Sequence, residues 1–86
     1  TLAANNRVQA DLLRLARSNM VGENRAELKP IPVHGDIASR VSTTRETVAR
    51  VLSDLSRQGM VERQKDRLVI DNVNRLEDMV EEVRGE

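Results

Sequence analysis

Val8, Leu12, Leu15 and Ala16 recur at i, i+4, i+7 and i+8, while Arg7, Asp11, Arg14 and Arg17 fall largely elsewhere, which predicts an amphipathic helix from Asn5 to Asn19. Asn19 to Glu27, with Gly22 among scattered polar residues, reads as a loop. Leu28 to Val33 carries Pro30 and Pro32, which excludes a helix interior or a central strand and leaves room for a short edge strand. Gly35 and Asp36 then precede Ile37, Ala38 and Val41, a short helix that Ser42-Thr43-Thr44 interrupts. A second helix runs from about Thr44 to Gln58, burying Val48, Val51, Leu52 and Leu55, with Gly59 as its stop. A connection this short forces the two helices to cross sharply, as in a helix-turn-helix. Met60 to Arg63 and Arg67 to Ile70 flank Gln64-Lys65-Asp66 and read as a hairpin, the wing. Asp71 is placed to cap a last helix with an apolar stripe of Val73, Leu76, Val80 and Val83. The expected fold is mainly α with a small antiparallel β-sheet, a winged helix-turn-helix. No repeat, low-complexity tract or linker interrupts it, so residues 1–86 make a single domain.

Composition narrows the function classes. With 38% hydrophobic and 33% charged residues the chain has an ordinary globular balance. It has no cysteine and one histidine, which removes disulfides and Cys/His metal clusters and points to the cytoplasm. No apolar run approaches the roughly 18 residues of a membrane span. No nucleophile is paired with a base and no Gly-rich phosphate loop is present, so an enzyme is not expected. Met20, Met60 and Met79 read as core filler. A first residue Thr1 rather than Met suggests a processed chain or an excised domain.

The net charge of +0 hides a segregation: residues 1–70 carry twelve Lys/Arg against eight Asp/Glu, residues 71–86 two against six. A local basic surface is what counterion release requires, and overall neutrality does not forbid it. On the second helix of the pair, Arg45, Glu46, Ala49, Arg50 and Ser53 lie opposite the apolar face. Two arginines and a carboxylate around small residues suit a DNA groove, where Arg pairs with guanine, Glu accepts from cytosine N4, and small neighbours admit the backbone. Taken alone, the same residues also read as a Thr43-x-x-Glu46 capping box and a solvated Glu46/Arg50 pair. Placement between a short helix and a wing favours the groove.

Residues 36–60, DIASRVSTTRETVARVLSDLSRQGM, resemble the winged helix-turn-helix of the Crp/Fnr superfamily of bacterial transcription regulators. The R-E-T-V-x-R core stands as Arg45, Glu46, Thr47, Val48 and Arg50 on a framework of Ile37, Ala38, Val41, Val48 and Val51. The likeness extends through the first helix (NRVQADLLRLA), the Pro-interrupted strand and the wing. It implies that Arg45 and Arg50 contact guanine and Glu46 cytosine in a TGTGA-like half-site of double-stranded DNA. Thr44, Lys65, Arg67 and Arg40 would contact the DNA backbone. His34 stands where the catabolite activator has an arginine, so it is either a pH-dependent phosphate contact or an exposed loop histidine. The family usually has Gly where Ser42 stands, in a turn with φ > 0, so either Ser42 costs roughly 1 kcal/mol or the turn is slightly remodelled.

In the family an upstream sensor domain and a long dimerisation helix precede this domain. A cyclic nucleotide or other effector would therefore bind in that missing part, the full-length protein would be a homodimer, and no cofactor is expected in residues 1–86. RNA polymerase enters as a partner by position only, because the loop at Glu23, Asn24 and Arg25 lies where the activator contacts it but differs in sequence. The alternative reading is a winged-helix protein-interaction module that does not bind DNA and presents the stripe from Val73 to Val83 to a partner.

Overall fold

A computed structural model describes residues 2–84, with side-chain environments for residues 3–82. The order is α1 (Leu2–Arg17), β1 (Ala26–Leu28), α2 (His34–Val41), α3 (Arg45–Arg57), β2 (Glu62–Arg63), β3 (Leu68–Ile70) and α4 (Val73–Arg84). Four helices surround a three-stranded antiparallel sheet of order β1-β3-β2, the winged helix-turn-helix expected from the pattern.

With no aromatic residue, the core is built of aliphatic side chains and Met60, with Met20 and Met79 packed against it. Val8, Leu12 and Ala16 of α1 meet Ile37 and Ala38 of α2, Val48, Val51 and Leu55 of α3, and Leu68 and Ile70 of β3. Leu15, Val41 and Leu52 are only half-buried at its margin. α1 begins earlier than the stripe predicts because Ala3 and Ala4 favour helix and Ala4 is buried. It ends at Arg17 in a tightened turn, with Asn19 N–H donating to Ala16 O and the Asn19 amide donating to Leu15 O.

Two further placements differ from the sequence expectation. The edge strand lies at Ala26–Leu28, ahead of the prolines rather than among them, because Pro30 and Pro32 have no N–H to donate to a ladder. Residues 21–25 close a turn through Val21 N–H on Arg25 O, and Met20 bridges to Ala26. The cap of α4 is Asn72, not Asp71: Asn72 Oδ1 accepts from Arg75 N–H, and Asn24 adds its own Oδ1 to Asn74 N–H and its carbonyl to Val73 N–H. Asp71 instead pairs with Arg25. α4 packs on α1 with Val73, Leu76 and Val80 fully buried, so the stripe offered by the interaction-module reading is core. Val83 of that stripe lies outside the described side chains. Among the described helices none is long and apolar enough to cross a membrane.

Both turns that flank α3 are closed the same way. After α2, Ser42 sits at φ 57°, ψ 54°, and Thr43 N–H reaches back to Ala38 O at 2.9 Å. After α3, Gly59 sits at φ 75° and Met60 N–H reaches back to Leu55 O at 2.9 Å. A left-handed conformation costs an L-residue about 1–2 kcal/mol, part of which glycine gives back through its freer unfolded chain. Ser42→Gly is therefore expected to raise stability by about 1 kcal/mol, a thermal midpoint several degrees higher by circular dichroism. An unchanged midpoint would mean that the serine turn carries no strain.

Candidate nucleic-acid interface

α3 is held by contacts made far from its exposed face. Arg7 donates from Nε to Val41 O at 2.8 Å and from Nη2 to Ser42 O at 3.2 Å, so α1 caps the end of α2 at the turn. Asp11, nearly buried on α1, accepts from Arg40 of α2 at 2.9 and 3.2 Å and from Arg14 on its own helix at 3.2 Å. These bonds fix α2 against α1, and the Ser42 turn then fixes the direction of α3.

At the start of α3, Thr44 is the N-cap: its hydroxyl accepts from Thr47 N–H at 3.1 Å and donates to Thr47 Oγ1 at 3.1 Å. The cap is thus made one residue later than a Thr43/Glu46 box, and Glu46 is left exposed with neither a cap bond nor an Arg50 pair. Arg45, Glu46, Ala49, Arg50 and Ser53 are all exposed on one side of the helix. Beside them a cleft of about 250 Å³ separates α3 from the wing, with Ala49, Leu52 and Ser53 on one wall, Val61, Arg63 and Leu68 on the other, and Pro32 and His34 at its end. His34 is the first residue of α2 and half-buried, not a loop residue.

The cations divide by use. Arg14 and Arg40 bind Asp11, Arg17 binds Glu77, Arg25 binds Glu27 and Asp71, Lys29 binds Asp66, Arg57 binds Asp54, and Arg67 binds Glu27 and Asp66. Arg7 and Arg75 are spent on backbone carbonyls. Among the described residues, the lysines and arginines that make no hydrogen bond or ion pair are Arg45, Arg50, Arg63 and Lys65, and all four lie on α3 and the wing. Arg63 is not among the site residues expected from the sequence. Its signal is nonetheless present there, since the apolar Val61 marks the inward side of the strand and the period of two turns residue 63 the same way, and both line the cleft beside α3. Arg40 and Arg67, expected at the DNA backbone, are committed to carboxylates in this structure.

Arg67 organises the wing. It donates to Glu27 Oε1 at 2.6 Å, across to β1, and to Asp66 Oδ1 at 2.9 Å in the hairpin turn. The Arg67 guanidinium, helped by Arg25, holds the Glu27 carboxyl below its ordinary value, and with Lys29 it holds Asp66 well below the carboxylate range. Both carboxyls bind protons more weakly folded than unfolded. The stability they contribute is complete above the ordinary carboxylate range and is lost as pH falls through that range and below it. The thermal midpoint is expected to drop on acidification, and Arg67→Ala to flatten that dependence; equal acid slopes in the two proteins would show that this network does not set it.

The profile of the Crp-like helix-turn-helix domain family matches residues 6–79. No curated protein matches the sequence. Among solved structures, the Thermus thermophilus catabolite activator protein is 30% identical with a TM-score of 0.70, over 94% of this chain and 35% of that one. A transcriptional regulator of the CRP/FNR family, also from Thermus thermophilus, is 28% identical with a TM-score of 0.70, over 90% of this chain and 40% of that one. Oxidised CprK in complex with o-chlorophenolacetic acid shares the fold at a TM-score of 0.77 and 20% identity, over 91% of this chain and 34% of that one. The chain therefore spans between about a third and two fifths of the length of these regulators. With a profile match running from α1 into α4 and a shared arrangement of helix pair and wing, the chain belongs to the Crp-like helix-turn-helix domain family, the DNA-binding module of Crp/Fnr transcription regulators.

Proposed function

We propose that the chain binds double-stranded DNA sequence-specifically, with α3 in the major groove of a TGTGA-like half-site and the wing beside it. The observation that carries this reading is the distribution of unspent charge: every described lysine or arginine without a partner lies on α3 or the wing, around exposed small residues. In this reading Arg45 and Arg50 donate to guanine O6 and N7, and Glu46 accepts from cytosine N4. Arg63 and Lys65 meet phosphates on the wing side, and His34 faces the backbone from the start of α2. Thr44 adds its hydroxyl beside the first N–H groups of α3, which have no acceptor within the helix. Arg40 and Arg67 serve mainly by fixing α2 and the wing, and reach phosphate only by dividing their N–H donors between it and their carboxylates.

In the whole protein two copies of the domain would read a palindrome, with dimerisation and effector binding outside residues 1–86, and activity in the cytoplasm. The reaction is recognition without catalysis. An amide-shift titration of the labelled chain with a half-site duplex and with a scrambled duplex at identical salt tests the reading. Shifts at residues 44–53 and on the wing that are larger with the half-site support it. Equal shifts with both duplexes remove the TGTGA assignment, and no shift at millimolar DNA removes DNA binding.

A further inference from the structure

Gly35 is the second residue of α2, at a position where no left-handed φ demands glycine. Glycine is a costly choice in a helix because it surrenders more chain entropy than alanine. The space its side chain would fill is taken by Arg45: a Cβ at position 35 would lie 3.0 Å from Arg45 Nε, 3.4 Å from Nη2 and 3.5 Å from Cζ. Gly22 and Gly59 have nothing within 4 Å of the corresponding point. The Arg45 guanidinium thus reaches from α3 to the first turn of α2 and lies beside the bare Cα of Gly35, with no hydrogen-bond or ion-pair partner.

We propose that Gly35 is a specificity-determining position that acts through Arg45. Resting on the proposed role of Arg45 in base reading, the inference is that the missing side chain makes a seat that gives the Arg45 guanidinium its direction toward the base. Arginine has much rotamer freedom to lose on binding, and a seat in the free protein reduces that loss. A side chain at position 35 removes the seat: a methyl shifts the guanidinium by a few tenths of an ångström, and a larger group turns it aside. Gly35 touches no base itself and is a positioning residue.

The test uses Gly35→Ala and Gly35→Leu, each alone and combined with Arg45→Ala. Binding is measured by anisotropy of labelled duplexes, each carrying one altered base pair of the half-site, with thermal midpoints alongside. Gly35→Ala is expected to keep or raise the midpoint while weakening discrimination several-fold at the base pair that Arg45 reads. Gly35→Leu is expected to lose about tenfold at that base pair and nothing elsewhere. In the Arg45→Ala background neither substitution should have a further effect. Unchanged discrimination with Gly35→Leu, an equal loss at every base pair, or the same loss without Arg45 overturns the proposal alone. Discrimination untouched by Arg45→Ala itself overturns the base-reading role and the proposal together.

Discussion

Alanine at Arg45 is expected to relax base choice at one position of the half-site by about 1–3 kcal/mol, roughly 5- to 150-fold, while the other positions stay discriminated. Arg45 is exposed and makes no hydrogen bond or ion pair, so its removal leaves no buried group unsatisfied and changes stability little. The loss therefore reads directly as lost recognition. Lys65→Ala is the contrasting case, because the phosphate contact proposed for Lys65 carries no sequence information. It should weaken all duplexes alike and reduce the slope of log K against log salt by about one. Competition with single-substitution duplexes at two salt concentrations separates the two behaviours. If both substitutions lose sequence preference at the same positions to the same degree, the division between base-reading helix and phosphate-gripping wing is wrong.

Glu46 stands free of the cap that a Thr43-x-x-Glu46 box would have given it, as the proposed groove reading requires. An acidic residue in a first helical turn stabilises the helix dipole and can close a capping box. Here Thr44 has already taken the cap, so the Glu46 carboxylate is not needed by the backbone. Arg50, one turn on, is not paired with it. Two guanidiniums and a carboxylate exposed on α3 without mutual hydrogen bonds leave their donors and acceptors open to a ligand. The whole-chain charge of +0 conceals this, because most other described cations are already neutralised by carboxylates within the fold.

The helix pair is legible in the sequence because its signals are local: Val48, Val51 and Leu55 repeat at helical spacing, and the stops at residues 42 and 59 lie in the chain where the left-handed residues stand. The face carrying Arg45, Glu46 and Arg50 follows from the same periodicity. What stays hidden in the sequence depends on partners far along the chain. Asn24 caps the first turn of α4 by accepting from Asn74 N–H, 50 residues on, and no local pattern marks it. Arg40 and Arg67 look like free surface cations until Asp11 and Glu27 are brought beside them by the packing of α1 and β1. Asp11 sits among the polar positions of α1, yet its side chain is only 7% exposed because α2 crosses over it. The position of β1 is misread for a simpler reason: a proline marks the neighbourhood of an edge strand without saying on which side it lies, and here both prolines stand after the strand and end it.

Leu12→Ala is expected to be the most damaging single truncation, lowering stability by about 2–5 kcal/mol. An 86-residue domain has only about 4–13 kcal/mol in total, so the variant should be partly unfolded near body temperature or melt more than about 10 °C lower. Leu12 has no exposed surface, and its α1 stripe joins the core formed by α2, α3 and β3. No aromatic ring is present to swing into the vacated space, and the core is mainly short aliphatics carried on several different elements, so the cavity collapses poorly. Leu52→Ala is the matched control: the same atoms are removed, but Leu52 is half-buried and borders the open cleft beside the wing, so the void fills with water and the cost is smaller. Urea and thermal melts followed by helical circular dichroism compare the two, as the chain has no Trp or Tyr to follow by fluorescence. Equal losses in the two variants would mean that α1 is not part of the cooperative core. The turn between α2 and α3 would then rest on Arg7 and on the Asp11–Arg40 pair alone.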